Sequence, residues 1–565
     1  MKRREAKVMS LKVAEGIVKA LEKLGTHIIF GIPGSQTSPF YDALYSSSIR
    51  HVLVRHEQMA AYMADAYAKF TGKPGICDGT GGPGATNLLT GIATSWTDSI
   101  PVLAFTGQQP LRQIGKGAFQ ELDHVSIFKP ITKWSTQLVR AERAVEIVKE
   151  AYRIATWGKP GPVHINLPLD VQLQSLTDDE MQLLEKWPFD LSPPLPAGDP
   201  HAIKEAMKLL VSSSRPLIIS GGGVHYSGRA WKSLRALAGL LEIPVATTLN
   251  GRGSFPEDHP LSAGRMGLHA ASYNDEVLAR ADVILAVGCR FASMSTRRWS
   301  NVNLNGILIH VDIDPGNIGR NYPAKISIVG DAGKVLKKML EEAERMKMEN
   351  QRRREWLEFL NSAKERWRES RWFAESRSGD SSLKPQRVCM EIRRLLNRDA
   401  VFTLDAGNNK LWASTFLEIY EPCTWIQSGC FGPMGYALPA AIACKLAGPS
   451  RTVVALCGDG GFYMSLHELS TSIQEDAPVI VCIFNDGALG TIKHRQRDSY
   501  GGRFISVDLK NPDFASVAES FGCIGLEAKT VSQLRSALKE AIREFKRGST
   551  AVINVYIDGD EPLPP

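Results

Sequence analysis

Two acidic residues stand where two apolar runs end. Asp459 lies in Gly458-Asp459-Gly460, directly after Val453–Cys457, and Asp486 follows Asn485 after Val479–Phe484. The stretch between, Phe462–Leu469, has the spacing of a helix, so the segment reads as strand, helix, strand: the unit of a parallel sheet with a right-handed crossover. Both carboxylates then fall at the carboxyl ends of strands, where open α/β sheets place their ligands. Two hard oxygen donors beside open glycine backbone suit a Mg²⁺ ion that holds a diphosphate. Gly-Asp-Gly by itself is an ordinary turn; the second acid at the end of the next strand gives it chemical meaning.

A third acid, Glu57, follows the apolar run Val52–Val54 and opens the small-residue segment Met59–Ala66. A carboxylate beside a buried, alanine-rich helix is costly unless hydrogen-bonded, which makes it a partner for a nitrogen base. It reads equally as an acidic residue placed at a helix N-terminus, where the dipole favours it. Gly79-Thr80-Gly81-Gly82-Pro83-Gly84-Ala85-Thr86-Asn87 is a second glycine loop leading into a helix, and its backbone leaves room for a flat or anionic ligand. It lacks the Gly-Lys-Ser/Thr ending of a Walker loop.

The elements that position these residues recur in three blocks. At 565 residues the chain exceeds what one core supports. Strand signals in the first block are His27–Phe30, Val52–Val54, Gly75–Cys77, Pro101–Phe105 and Pro162–Asn166. In the second they are Pro216–Ile219, Pro244–Thr247, Val283–Val287 and Ile307–Asp312, and the third adds Val401–Leu404 and Val552–Val555 to the opening pair. Alternation with helical signals predicts an α/β protein of three domains, each a mostly parallel sheet flanked by helices. The proline-rich stretch Trp187–Pro196 and a charged segment from Lys334 separate the blocks. The expected limits are 1–187, 188–333, a helical connector at 334–384, and 385–565.

Composition excludes several classes. With 43% hydrophobic and 22% charged residues, the chain is that of an ordinary globular protein. No apolar run approaches the roughly 20 residues of a membrane span, and the basic start Met1–Lys7 leads into no signal-peptide core. Nine cysteines without a Cys-x-x-Cys pair argue for reduced thiols in the cytoplasm. The net charge of +7 is modest, and its densest part, Lys334–Trp372, mixes both signs at helical spacing. That is a solvated helical connector whose tryptophans dock it onto a domain, rather than a nucleic-acid surface. Neither nucleic acid nor membrane is expected as a partner.

Several segments taken together resemble one family. Arg55-His56-Glu57-Gln58, Gly82-Pro83-Gly84-Ala85-Thr86-Asn87, Gly458-Asp459-Gly460 with Asn485-Asp486, Phe30–Gly34, Ala118–Glu121 and Gly432–Ala441 occur in the order found in thiamine diphosphate enzymes of the acetolactate (acetohydroxyacid) synthase type. The resemblance covers nearly the whole chain. It implies a pyrimidine-binding first domain, a central domain and a diphosphate-binding third domain, with the site built between the first domain of one subunit and the third of another. A homodimer or homotetramer follows, and a regulatory subunit is compatible with it.

The resemblance also assigns roles. Glu57 is implied to hydrogen-bond the aminopyrimidine and stabilise its imino tautomer, so that the cofactor's own nitrogen takes the thiazolium proton and the ylid attacks a 2-oxo acid. Gln120 is implied to reach the reacting centre. Asp459 and Asp486, with the Ala488 carbonyl, are the implied Mg²⁺ ligands. Gly458, Gly460 and Gly461 are implied to approach the diphosphate, with Gly407, Asn408 and Asn409 as a further diphosphate loop. Met434 is implied to prop the bent cofactor, and Gly432, Leu489 and Gly490 are implied as further cofactor-binding residues. The implied reaction condenses two pyruvates to 2-acetolactate with loss of CO₂. Decarboxylation, oxidation or 2-hydroxyacyl lyase chemistry on the same cofactor are alternatives, as is a non-catalytic nucleotide-binding protein on this fold.

Four departures bear on specificity. Asp486 stands where the family usually has asparagine, and Asn408-Asn409 where it has Gln-His. Arg495 occupies the place of a tryptophan that selects 2-oxobutyrate in biosynthetic members. Arg290-Phe291-Ala292-Ser293 lacks the acidic pair seen in flavin-bound members, although Met266–His269, His310–Asp314 and Gly221–Gly223 resemble flavin-contacting segments. FAD is therefore left open as a second cofactor.

Overall fold

The computed structural model describes residues 11–186, 191–299, 305–346, 353–375 and 383–563. Met1–Lys7, the first residues of the proline-rich stretch and part of the charged segment lie outside them. The chain divides into two compact units: residues 1–68 with 73–194, and 69–72 with 195–565.

The first unit holds one six-stranded sheet, β1 (Ile28–Gly31), β2 (Arg50–Leu53), β3 (Gly75–Gly79), β4 (Val102–Gln108), β5 (Trp134–Gln137) and β6 (Val163–Pro168). The second unit holds two more. The central one is β7 (Pro216–Ser220), β8 (Val245–Thr247), β9 (Ser262–Arg265), β10 (Val283–Val287), β11 (Ile307–Asp312) and β12 (Ile326–Val329). The third is β13 (Val401–Leu404), β14 (Trp425–Gln427), β15 (Val453–Gly458), β16 (Ile480–Asn485), β17 (Ile524–Ala528) and β18 (Ala551–Tyr556). Every pairing is parallel. The α/β architecture with three flanked sheets is thus as expected.

The first and third sheets share one order, β2-β1-β3-β4-β6-β5 and β14-β13-β15-β16-β18-β17. In each the chain reverses direction across the sheet between the first and third strands of its set, and the crevice above that reversal is the natural ligand position. The central order, β12-β11-β10-β7-β8-β9, is the doubly wound arrangement of dinucleotide-binding sheets.

Alternation explains why the central strands are almost wholly apolar. Ile218, Leu285, Val287, Ile309 and Val311 enter one core, while Leu217, Ile219, Ile284, Ala286 and Leu308 enter another. Successive side chains point to opposite faces, and helices cover both. The helix Ala332–Ala343 packs Val335, Leu336 and Met339 into the first of these cores. The following helix, Arg354–Glu369, docks through its tryptophans: Trp356 donates to the Pro216 carbonyl at 2.9 Å, and Trp367 joins the third domain's core. Sequence reading missed β5, β9, β12, β14 and β17. It also expected a single helix over Phe462–Leu469, whereas the chain forms Asp459–Tyr463, a 3₁₀ turn at Leu466–Glu468 and Leu469–Gln474. The break falls at buried Ser465, whose ψ of 3° with φ of −134° leaves the helical region.

Candidate functional site

In the third domain, β13, β15 and β16 end side by side. Asp459 is buried, its Oδ1 accepting from Gly460 N at 2.9 Å and its Oδ2 from Asn511 Nδ2 at 2.6 Å. Asn511 also donates to Asn485 Oδ1 at 3.0 Å, so one amide braces the ends of two strands. Asp486 turns its Oδ1 toward the Ala488 N–H at 3.2 Å. Burial raises the proton affinity of Asp459. Burial, with the Asp459 charge second, pushes Asp486 up to about 7. Two buried carboxylates, one of them raised further by the charge of the other, are a fitting donor set for a divalent cation, whose charge offsets both burial penalties. Among the described residues no group of three or more His, Cys, Asp or Glu forms a cation site.

This raised affinity has a measurable consequence in the metal-free protein. The unfolded carboxyl titrates near 3.8 and the folded one near 7, so the Asp486 contribution is fullest at acid pH and is lost as pH rises between those values. Asp486→Asn is expected to raise the metal-free melting temperature at pH 8 and to change it little at pH 4, as read by calorimetry with a chelator present. A uniform shift at both pH values would assign the effect to packing instead.

Around the pair, side chains the sequence singled out divide into two groups. Asn408 starts the helix Asn408–Phe416; its Oδ1 accepts from Thr491 Oγ1 at 2.8 Å, tying it to the start of the helix Gly490–Ser499. His494 donates through Nε2 to the Gly559 carbonyl at 2.7 Å, leaving Nδ1 to accept from Asn408 Nδ2 at 3.4 Å. Asn409, by contrast, turns back and donates to the Leu456 carbonyl at 2.9 Å, finishing the sheet end. Gly490 is required: a Cβ there would lie 2.3 Å from Asp486 Oδ2. A Cβ on Gly460 would press on Leu489 and Met434 at 3.0 and 3.2 Å, which places those two side chains over the glycine loop. Gly461 faces Asp405, where a Cβ would meet Oδ2 at 2.5 Å, while Gly458 meets only Asn409 at 3.6 Å. Gly432, at φ +66°, has open space around it, and Gly407 adopts φ +135° before the helix.

Sequence reading missed Asp405, His494 and Asn511. Asp405 follows β13 as Asp459 follows β15, a parallel that the strand assignment made available. It is fully buried, accepts from Tyr436 N at 2.6 Å, and is pushed up to about 7 by burial. Asn511 lies 52 residues beyond Asp459, and nothing in its neighbourhood marks it.

In the first domain, Glu57 opens the helix Glu57–Thr71 and is buried. Its Oε2 accepts from Asn87 Nδ2 at 2.9 Å. A Cβ on Gly84 would stand 3.2 Å from Oε1, so the glycine loop packs directly against the carboxylate. Gln120 stands in the left-handed region at φ +62° and accepts from Gln36 Nε2 at 3.0 Å; Gln36 in turn accepts from Thr80 at 2.5 Å. Glu57 and Gln120 thus flank one loop, Gly79–Asn87.

In the central domain the glycines have structural work. A Cβ on Gly221 would lie 2.0 Å from the Gly288 carbonyl oxygen, and one on Gly267 would lie 2.2 Å from that of Met294. His310 and Asp312 are buried, bonded to the Cys289 carbonyl at 2.8 Å and to Asp314 N at 2.9 Å.

Three family models match in order: the thiamine pyrophosphate enzyme N-terminal TPP-binding domain over 11–127, the central domain over 203–339, and the C-terminal TPP-binding domain over 405–555. The probable acetolactate synthase large subunit of Methanocaldococcus jannaschii is 42% identical over 98% of this chain and 93% of its own. The chain belongs to the acetolactate synthase family of thiamine pyrophosphate enzymes. The Corynebacterium glutamicum acetolactate synthase large subunit is 38% identical over 94% of this chain and 84% of its own. The Escherichia coli isozyme 3 large subunit is 36% identical over 98% and 96%. The two cofactor-binding models match β1 to β4 of the first sheet and β14 to β18 of the third, the two sheets that share one strand order.

Proposed function

We propose that the protein is a thiamine diphosphate-dependent carboligase that condenses two pyruvates to 2-acetolactate with release of CO₂. Its similarity along nearly the whole chain to acetolactate synthase large subunits carries this reading. When bound, the cofactor supplies the electron sink for the carbon left as a 2-oxo acid loses CO₂. Asp459 and Asp486, with the Ala488 carbonyl, hold Mg²⁺, and Gly458, Gly460 and Gly461 leave room for the diphosphate. Asn408 and Gly407 border the same crevice; Asn409 supports it through its bond to the Leu456 carbonyl of β15. Met434 and Leu489 provide apolar surface above Gly460, and Gly432 and Gly490 keep its edges open.

Glu57 holds a proton against a ring nitrogen through the oxygen beside Gly84, while Asn87 fixes the other oxygen. Gln120 contributes its amide from the far side of the loop. Two copies of the chain build each site, one giving Glu57 and Gln120 and the other the metal-binding set, so a homodimer or homotetramer is the working assembly. The relatives are called large subunits, which supports a smaller regulatory partner for this chain as well.

Domain limits of 1–187, 188–333, 334–384 and 385–565 accompany this reading. Seven of the nine cysteines are buried, which supports a reducing cytoplasmic setting. Among the described residues no helix is long and apolar enough to cross a membrane. FAD stays open, and the visible absorption spectrum of the purified protein decides it.

The test is incubation with pyruvate, thiamine diphosphate and Mg²⁺, assaying acetolactate, acetaldehyde and acetate. Acetolactate as the main product is expected. Acetaldehyde or acetate in its place overturns the carboligase reading in favour of a decarboxylase or oxidase.

A further inference from the structure

The loop that separates Glu57 from Gln120 rests on a buried polar chain that the proposed reaction does not use. Gly82, at φ +59°, lies under Gln120: a Cβ there would stand 2.9 Å from the Gln120 carbonyl oxygen and 3.0 Å from its Cβ. The Gly82 N–H donates to His124 Nε2 at 3.0 Å. An imidazole nitrogen that accepts carries no proton, so Nδ1 bears it and donates to Asn166 Oδ1 at 3.0 Å. Asn166 is fixed in turn, its Oδ1 accepting from Thr106 Oγ1 at 2.9 Å and its Nδ2 donating to Gln137 at 2.8 Å. Thr106 meets His164 Nε2 at 2.7 Å, and His164 Nδ1 meets Ser135 at 2.8 Å. The chain runs from β4, β5 and β6 to the edge of the candidate site. His124, His164, Asn166 and Thr106 are all buried.

We propose that His124 is a positioning residue for Gln120: its neutral imidazole, donor to Asn166 and acceptor from Gly82, holds the glycine loop in the shape that seats Gln120. This rests on the reading of Gln120 as a site residue. The left-handed backbone of Gln120 is a conformation that persists only when its surroundings enforce it, and Gly82 is the surface that does so. A second proton on His124 would turn Nε2 from acceptor to donor, aimed at the Gly82 N–H, and the bond would be lost.

The ionisable groups facing the ring are Asp123, which precedes it and favours the charged form, and His164, the ionisable member of the buried chain. Burial outweighs Asp123 and depresses the His124 pKa below 6.5. The folded protein therefore refuses a proton that the unfolded chain accepts. The arrangement holds at neutral pH and weakens as pH falls below that value.

His124→Gln supplies an acceptor and a donor without titration, and His124→Phe supplies neither. Hydrogen exchange of peptides covering Gly79–Asn87, followed by mass spectrometry on the whole protein, reads the loop independently of turnover. At pH 7.5, protection equal to wild type is expected in His124→Gln, and at least a tenfold loss in His124→Phe. Kinetics should show kcat reduced about tenfold or more in His124→Phe with cofactor affinity kept, and restored in His124→Gln. At pH 5.5, wild type should lose protection relative to His124→Gln after correction for intrinsic exchange.

Wild-type protection of the loop in His124→Phe, or identical pH behaviour of wild type and His124→Gln, overturns the proposal. Should His124→Phe not fold, the comparison of wild type with His124→Gln decides alone. Absence of acetolactate from wild type would sink the proposed function while leaving the exchange result intact.

Discussion

Glu57→Gln is expected to lower turnover about 100-fold or more while leaving cofactor affinity largely unchanged, in line with the size of general acid–base contributions. The substitution keeps the shape of the side chain and an oxygen for Asn87 to donate to, so the helix start and the packing against Gly84 survive. What it removes is a group able to hold and release a proton at a ring nitrogen. Steady-state acetolactate formation and a fluorescence titration with thiamine diphosphate separate the two effects. Unchanged turnover would remove Glu57 from the mechanism; parallel loss of binding and turnover would make it a structural contact.

Asp459→Ala should act on binding rather than on the chemical step. It deletes one of the two carboxylates and strands one of Asn511's two hydrogen bonds, leaving that amide bonded to Asn485. Substitution of residues behind a metal's ligands already costs about 10–100-fold in affinity, so loss of a ligand should raise the required Mg²⁺ concentration by about 100-fold or more. Cofactor affinity should fall with it, because the cation is proposed to link protein and diphosphate. Titrating cofactor at several Mg²⁺ concentrations tests the linkage. If cofactor affinity in the wild-type protein is independent of Mg²⁺, the metal assignment fails. The metal-free variant should fold, since it loses a carboxylate whose burial is itself unfavourable.

Which strands the sequence displayed follows from where each lies in its sheet. The interior strands of all three sheets were visible as apolar runs, because both of their faces are covered by helices. The five that escaped notice, β5, β9, β12, β14 and β17, all lie at sheet edges. Trp134-Ser135-Thr136-Gln137 is half-buried throughout, and Ile524–Ala528 is buried only at its last residue. An edge strand needs one neighbour and little apolar surface, so its sequence resembles a loop. The interruption at Ser465 was hidden for a related reason, since an apolar pattern reports burial rather than the continuity of the helix.

By itself the sequence determined the three-domain α/β plan and the family, and it singled out the residues proposed to meet a cation, a diphosphate and a ring nitrogen. Those are fixed locally: an acid or a glycine at a strand end depends on the strand before it. The tertiary structure alone decided which groups support them. Asn511 reaches Asp459 across 52 positions, His494 joins Asn408 to Gly559, and His124 reaches Gly82 across 42. Partners that far apart share no spacing a pattern can register, and only the sheet order that brings strand ends together puts their hydrogen bonds within reach.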